Sequence, residues 1–194
     1  MDRRGVGFTI VELIVAISVI AVLALISIVA YAKIHERAYN VRIIAGVKSY
    51  LNLLEIYKVR NGSYPETTPE KDKKMIAVVC LGKGYPDDYC GKVSGVRIYT
   101  DSLFNKSIEE IGSWSGVIHD QSLPSGPEVF TGAVYGNDIL DTSLYDGSGY
   151  GRTIQHALYG SGVNCGVSGA RSYRLTESPP VTACEILLES LPSP

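Results

Sequence analysis

Few side chains in the 194-residue chain have the types and the spacing that enzyme chemistry requires. The three histidines are His35, His119 and His156, and no two of them have the spacing of a metal-binding or catalytic motif. His119 is followed by Asp120, but the sequence offers no nucleophile to complete a catalytic group with them. The histidines therefore predict a protein that is not an enzyme.

Three aspartates close together in the second half of the chain are candidates for a cation site. Asp138, Asp141 and Asp146 carry the carboxylate oxygens that a hard cation such as calcium prefers. The spacing is not that of an EF-hand, and aspartates are common in turns for conformational reasons. Calcium at these residues is the one cofactor that the sequence suggests.

The four cysteines indicate either disulfides or a zinc site. They are Cys80, Cys90, Cys165 and Cys184. An even number of cysteines in an exported domain favours two disulfides, and four cysteines allow three connectivities. The spacing lacks the paired CxxC pattern of structural zinc sites, which argues against a metal.

Composition excludes two broad classes of protein. Lys and Arg number 18 against 20 Asp and Glu, so the chain is not a strongly basic nucleic-acid-binding protein. Apolar residues make up 45%, which argues against disorder along the whole chain. The hydrophobic excess is concentrated in the first 32 residues. We therefore expect a soluble domain behind an apolar N-terminal segment.

The apolar segment has the length of a membrane-spanning helix. Between residues 13 and 32 the only polar side chains are those of Ser18, Ser27 and Tyr31. Twenty helical residues rise roughly 30 Å, which matches the thickness of a bilayer core. Residues 1–7 precede this segment as a short polar leader.

One helix is predicted from about residue 8 to residue 60, and its second part, residues 33–60, is expected to be amphipathic. Apolar residues recur there at spacings of three, four and three, at Ile44, Val47, Leu51 and Leu54. Lys48, Asn52 and Glu55 lie on the opposite side. Lys58 and Arg60 suit the negative end of the helix dipole, and Gly62 follows as a stop signal.

Three kinds of N-terminal segment fit these features. A secretory signal peptide would be cleaved after Ala32, because residues 30–32 match the A-x-A pattern, although Glu12 interrupts its apolar core. A plain signal anchor would remain uncleaved. The third is a prepilin signal. Residues 5–12, Gly-Val-Gly-Phe-Thr-Ile-Val-Glu, resemble the signal of type IV pilins and type II secretion pseudopilins, and we favour this interpretation.

The resemblance implies how the N-terminus is processed. In this family a prepilin peptidase cleaves after the glycine and methylates the new amino terminus. Here the cleavage would fall between Gly7 and Phe8, and Phe8 would be N-methylated. Glu12 would then pair with the Phe8 ammonium of a neighbouring subunit and set the register of assembly, since an unpaired buried charge is costly.

The resemblance also implies a type IV pilin fold. This is an α+β fold in which a long N-terminal helix, half transmembrane and half amphipathic, packs on a small antiparallel β-sheet, and a disulfide-bonded loop follows. From the strand candidates in the sequence we expect three to five strands in this sheet. The expected divisions are a leader (1–7), a transmembrane and filament-core helix (8–32), its amphipathic continuation (33–60) and a globular periplasmic or extracellular head (61–194). Strand candidates are residues 75–81, 96–100, 132–135, 154–158, 172–175 and 184–188, with a helical turn at 107–111.

Among the three disulfide connectivities we favour Cys80–Cys90 with Cys165–Cys184. The second pair resembles the C-terminal disulfide loop of pilins.

The implied function is that of a structural filament subunit. The precursor would lie in the cytoplasmic membrane as a single-pass protein with its N-terminus inside. The mature chain would form a surface pilus that serves adhesion, twitching motility or DNA uptake. The implied partners are copies of the chain, other pilins, the prepilin peptidase, the assembly ATPase with its platform, and membrane lipid before assembly. No specific nucleic acid is implied. Two alternatives are a pseudopilin of a secretion or competence system, and a secreted or membrane-anchored binding protein or enzyme with an ordinary signal.

Overall fold

A computed structural model describes residues 9–67, 78–93, 96–113, 130, 132–137, 151–177 and 180–190. The helices are α1 (Ile10–Asn61) and α2 (Ser102–Glu109), with a short 3-10 helix at Pro86–Asp88. The strands are β1 (Val78–Leu81), β2 (Tyr89–Val93), β3 (Val96–Tyr99), β4 (Ala133–Asn137), β5 (Gly151–Tyr159), β6 (Arg171–Glu177) and β7 (Pro180–Ser190). The chain separates into two compact units, residues 1–38 and 39–194, and α1 contributes to both.

The predicted long helix is confirmed as α1, and its C-terminal end is built as expected. Lys58 and Arg60 lie in the last turn. Gly62 adopts the left-handed conformation, with a φ of 84°. Its backbone N–H donates to the carbonyl of Lys58 at 2.8 Å, which satisfies one of the free carbonyls at the helix end.

The part of α1 in the second unit buries one side against the sheet. The buried line runs at helical spacing through Tyr39, Ile43, Val47, Tyr50 and Leu54, each at most 1% exposed. The prediction was right for Val47 and Leu54, whereas Ile44 and Leu51 are only partly buried. The stripe is displaced because the large tyrosine rings bury more area than those two aliphatic side chains. Lys48, Asn52 and Glu55 are exposed, as predicted.

The sheet differs from the prediction in size and in direction. Within the described residues it has seven strands in the order β2-β3-β1-β4-β5-β7-β6. It is mixed, because β3 runs parallel to β1 while the other described pairs are antiparallel. The prediction of a small antiparallel sheet of three to five strands was therefore wrong. The β2–β3 hairpin places β3 beside the open edge of β1. Strand β2 contains Gly91 and a bulge, so its sequence lacks the alternation of apolar and polar residues that identifies a strand.

Asn40 fastens α1 to the end of β5. Its amide Nδ2 donates to the carbonyl of Tyr159 at 2.9 Å, and its Oδ1 accepts from the Tyr159 backbone N–H at 2.8 Å. The ring of Tyr39 meets the ring of Tyr159 edge-on, with the centroids 5.0 Å apart. These contacts fix the position of this part of α1 along its axis and its rotation about that axis relative to the sheet.

A buried arginine holds the segment that follows α1. Arg152 on β5 is 6% exposed, and its guanidinium donates to the carbonyl of Tyr64 at 2.6 Å. The same group forms ion pairs with Glu66 and, at 3.4 Å, with Glu189. Lys58 in the last turn of α1 also pairs with Glu189, at 3.3 Å. The turn after the helix is thus tied to β5 and β7.

Two disulfides close the second unit, with the pairing favoured from the sequence. Cys80 on β1 is bonded to Cys90 on β2, and Cys165 is bonded to Cys184 on β7. The second bridge holds a loop that packs on α1. A Cβ atom added at Gly166, whose φ is 70°, would lie 2.6 Å from Ile44, so this position requires glycine.

Candidate functional site

The described residues of the first unit present a large exposed apolar surface. The large apolar side chains from Ile10 to Ile34 whose exposure is described are between 52% and 78% accessible. Soluble proteins rarely leave so large a contiguous apolar surface exposed. By length and composition this part of α1 is suited to cross a membrane, or to serve as a signal sequence.

The two serine hydroxyl groups inside the apolar stretch do not interrupt it. Ser18 donates to the carbonyl of Val15 at 2.8 Å, and Ser27 donates to the carbonyl of Leu23 at 2.8 Å. Each hydroxyl hydrogen is therefore satisfied within the helix itself. Such side chains can lie in hydrocarbon or against another helix without an unpaired donor.

Glu12 closes the N-terminal end of α1 together with Thr9. The backbone N–H and the hydroxyl of Thr9 donate to Oε2 of Glu12, at 2.9 Å and 2.8 Å. In return the backbone N–H of Glu12 donates to the Thr9 hydroxyl oxygen at 3.2 Å. This reciprocal arrangement is a capping box. It places a carboxylate at the positive end of the helix dipole, where it stabilises the helix.

The capping role was missed at the sequence level, although its signal is present. Thr9 and Glu12 match the T-x-x-E pattern that precedes an apolar helix. None of these three hydrogen bonds involves Oε1 of Glu12, which has no partner among the residues that the structure describes. An exposed carboxylate oxygen at the start of an apolar surface can accept hydrogen bonds from a cation outside this chain.

Several predicted site residues lie outside the described parts of the chain. These are the cleavage-site residues Gly7 and Phe8 and the calcium candidates Asp138, Asp141 and Asp146. Within the described ranges, no group of three or more His, Cys, Asp or Glu side chains is placed to hold a metal ion.

His156 is a buried titratable group in the described part of the second unit. It lies on β5 opposite Cys184 of β7, and its side chain is fully buried. Neither ring nitrogen has a hydrogen-bond partner of good geometry among the described residues. Burial lowers the pKa of His156 to about 4, and the nearby backbone of Cys165 opposes this shift. The imidazole is therefore neutral near pH 7.

The buried imidazole predicts that acid destabilises the second unit. The pKa in the folded state lies below the ordinary value of 6.5, so the unfolded state binds the proton more tightly. The contribution of His156 to the free energy of unfolding is fully present above pH 6.5 and is lost as the pH decreases toward 4. Between pH 8 and pH 5 we expect a loss of about 2 kcal/mol from this group. Urea unfolding at a series of pH values measures it, and the variant His156→Leu should show a correspondingly flatter pH dependence. An unchanged slope in that variant would assign the acid sensitivity to other groups.

No protein-family model, curated protein or solved structure matches the chain.

Proposed function

We propose that the chain is a subunit of a helical filament of the type IV pilin class. The observation that carries this proposal is the exposed apolar helix of the first unit, with one carboxylate, Glu12, at its start. A membrane accounts for the apolar surface but gives no role to Oε1 of Glu12, because the capping bonds use Oε2. A bundle of identical helices gives a role to both, because each helix covers its neighbours and the acid can fix their register.

The physical argument for register rests on the uniformity of the surface. Side chains of Leu, Ile and Val attract one another without direction, so helices that meet through them can slide. A single charged pair within such a contact favours one alignment over all others. In the proposal, Oε1 of Glu12 accepts from the ammonium group that cleavage after Gly7 would create on Phe8 of the next subunit. The capping bonds from Thr9 hold the carboxylate in position through Oε2.

The second unit would form the outer surface of the filament. Its two disulfides are typical of domains that fold outside the reducing cytosol. In this proposal the precursor lies in the cytoplasmic membrane. The prepilin peptidase cleaves it, and an ATP-driven machine assembles the mature chain into the filament. The chain catalyses no reaction, and the work of the filament is mechanical: adhesion, twitching motility or DNA uptake.

The mass and the N-terminal sequence of the mature chain test this proposal. We expect a chain that begins at N-methylated Phe8 and has lost residues 1–7. A chain that begins at Lys33 would instead identify a secreted protein, and an intact N-terminus in polymerised material would overturn the proposal. Once cleavage at Phe8 is established, immunogold imaging of whole cells separates the two filament types. Long surface fibres that contain the chain indicate a pilus, and their absence indicates a pseudopilus of a secretion or competence system.

A further inference from the structure

The apolar surface of the first unit ends abruptly at Lys33. Between Leu13 and Ala32 the sequence contains no charged residue, and the large apolar side chains whose exposure is described are exposed all around the helix. The next five residues, 33–37, are Lys-Ile-His-Glu-Arg. All five belong to α1 and all five are exposed. The change from an apolar to a polar helix surface therefore takes place within about one helical turn.

The polar side chains of residues 33–37 form a girdle around α1. Lys33 and Arg37 are four residues apart, so they share one side of the helix. Tyr31 and His35 share another side, with their ring centroids 6.4 Å apart. The two pairs are offset by two residues, which places them on nearly opposite sides. A helix that lies flat on a membrane has one polar face, whereas polar groups on several sides fit a helix that crosses the headgroup layer.

The girdle has the height of a phospholipid headgroup layer. The helical rise from Lys33 to Arg37 is about 6 Å. A bilayer is roughly 40–45 Å thick with its headgroups and about 30 Å without them, which leaves roughly 5–7 Å for each headgroup layer. Residues 13–32 rise roughly 30 Å, so they fill the hydrocarbon core when the girdle lies among the headgroups. Tyr31, which is 71% exposed, then lies at the boundary where aromatic side chains are enriched.

The girdle carries two cations that form no ion pair within the described ranges, Lys33 and Arg37. Glu36 is the single acid in the girdle, so the cations are in excess. Lipid phosphate groups are the anions available at this depth, and a guanidinium can bind a phosphate through two hydrogen bonds. A zwitterionic lipid offers its phosphate together with a cation that opposes the attraction. The charges therefore favour lipids with a net negative headgroup.

We propose that Lys33 and Arg37 bind the headgroups of anionic phospholipids and thereby fix the depth of α1 in the membrane. Movement in one direction would separate the two cations from the phosphates, and movement in the other would draw them into hydrocarbon, where a charge is costly. With the N-terminus inside, these lipids belong to the outer leaflet of the cytoplasmic membrane. The inference rests on the proposed function in one respect, that residues 13–32 cross the membrane before assembly. It depends neither on Glu12 nor on cleavage of the leader.

Lipid binding by the full-length, uncleaved chain tests the proposal. The chain is titrated in detergent micelles with anionic phosphatidylglycerol or zwitterionic phosphatidylcholine, and native mass spectrometry measures the lipid retained. We expect tighter binding of phosphatidylglycerol. The double variant Lys33→Gln with Arg37→Gln should reduce this preference by about tenfold or more, because each cation near a membrane surface contributes about fivefold. Lys48→Gln with Arg60→Gln is the matched control. It also removes one lysine and one arginine, both exposed in the second unit, and should bind like the wild type.

Three results would overturn the inference: equal binding of the two lipids by the wild type, an unchanged preference in the girdle variant, or an equal loss in both double variants. Glutamine is a good helix former, so circular dichroism should show unchanged helix content in every variant.

The mature N-terminus separates this inference from the proposed function. A chain that begins at Phe8 but shows no lipid preference would refute the girdle and leave the filament. A lipid preference in a chain that cells never cleave would refute the filament and leave the girdle. A mature chain that begins at Lys33 would overturn both, because the membrane segment would then be a removed signal.

Discussion

Glu12→Gln is expected to abolish or greatly reduce filament assembly while leaving the cap of α1 in place. Glutamine keeps an oxygen that can accept from Thr9, and it is a known alternative in the capping box. It cannot carry the negative charge that would pair with the amino terminus of the next subunit. Removing one partner of a buried ion pair typically costs about 3–5 kcal/mol, which corresponds to at least roughly a hundredfold loss at each contact.

Two further variants separate charge pairing from helix capping. Thr9→Ala removes the hydroxyl from the cap but keeps the Glu12 charge, so we expect a cost of about 1 kcal/mol in helix stability and nearly normal assembly. Glu12→Ala removes both functions and should assemble no better than Glu12→Gln. Sheared surface polymer, quantified against total membrane-bound chain, provides the measurement. Normal assembly of Glu12→Gln together with failure of Thr9→Ala would assign Glu12 to capping alone and refute the pairing mechanism.

Loss of the Cys165–Cys184 disulfide is the second large effect that we expect. The bridge closes a sequence separation of 19 residues, and loop-closure entropy assigns it about 3 kcal/mol. For a folded unit of this size, the double variant Cys165→Ala with Cys184→Ala should unfold roughly 10 °C below the wild type. The loop between β5 and β6 also loses its covalent tie to the sheet. Amide hydrogen exchange should therefore increase first around Gly166, where the loop meets Ile44.

The other disulfide supplies the matched control. Cys80 and Cys90 are separated by 10 residues, so removing both with alanine should cost slightly less, about 2.7 kcal/mol by the same relation. Exchange at Gly166 should remain protected in that variant. Equal protection of Gly166 in both double variants would show that packing on α1 holds the loop without the bridge. If removing the Cys165–Cys184 bridge lowers the unfolding temperature by less than roughly 3 °C, the stabilising role of this bridge is contradicted.

The features that local pattern predicted are those in which neighbours along the chain decide the outcome. The long helix follows from an uninterrupted helical period, and its end follows from Lys58, Arg60 and a glycine at position 62 with positive φ. The hairpin of β2 and β3 shows where local pattern is insufficient. β3 was foreseen from its apolar residues, but β2 was not, because its pairing compensates for a glycine and a bulge.

The lengths of the central strands also show where the local sequence pattern is insufficient. The apolar windows at residues 154–158 and 184–188 predicted strands, yet β5 and β7 extend to Gly151–Tyr159 and Pro180–Ser190. The added residues include polar ones that are buried with partners, such as Arg152, which contacts Tyr64 and Glu66. Partners so distant along the chain are brought together by folding, and no sequence window contains both.

Composition and periodicity along the chain were enough to predict an apolar N-terminal helix and its amphipathic continuation. These properties depend on side chains a few residues apart, whose spacing is written in the sequence. The three-dimensional packing established the mixed order of the sheet, the two hydrogen bonds between Asn40 and Tyr159 and the burial of His156. Each of these depends on which distant segments exclude water from a given atom, and that is a property of the assembled core.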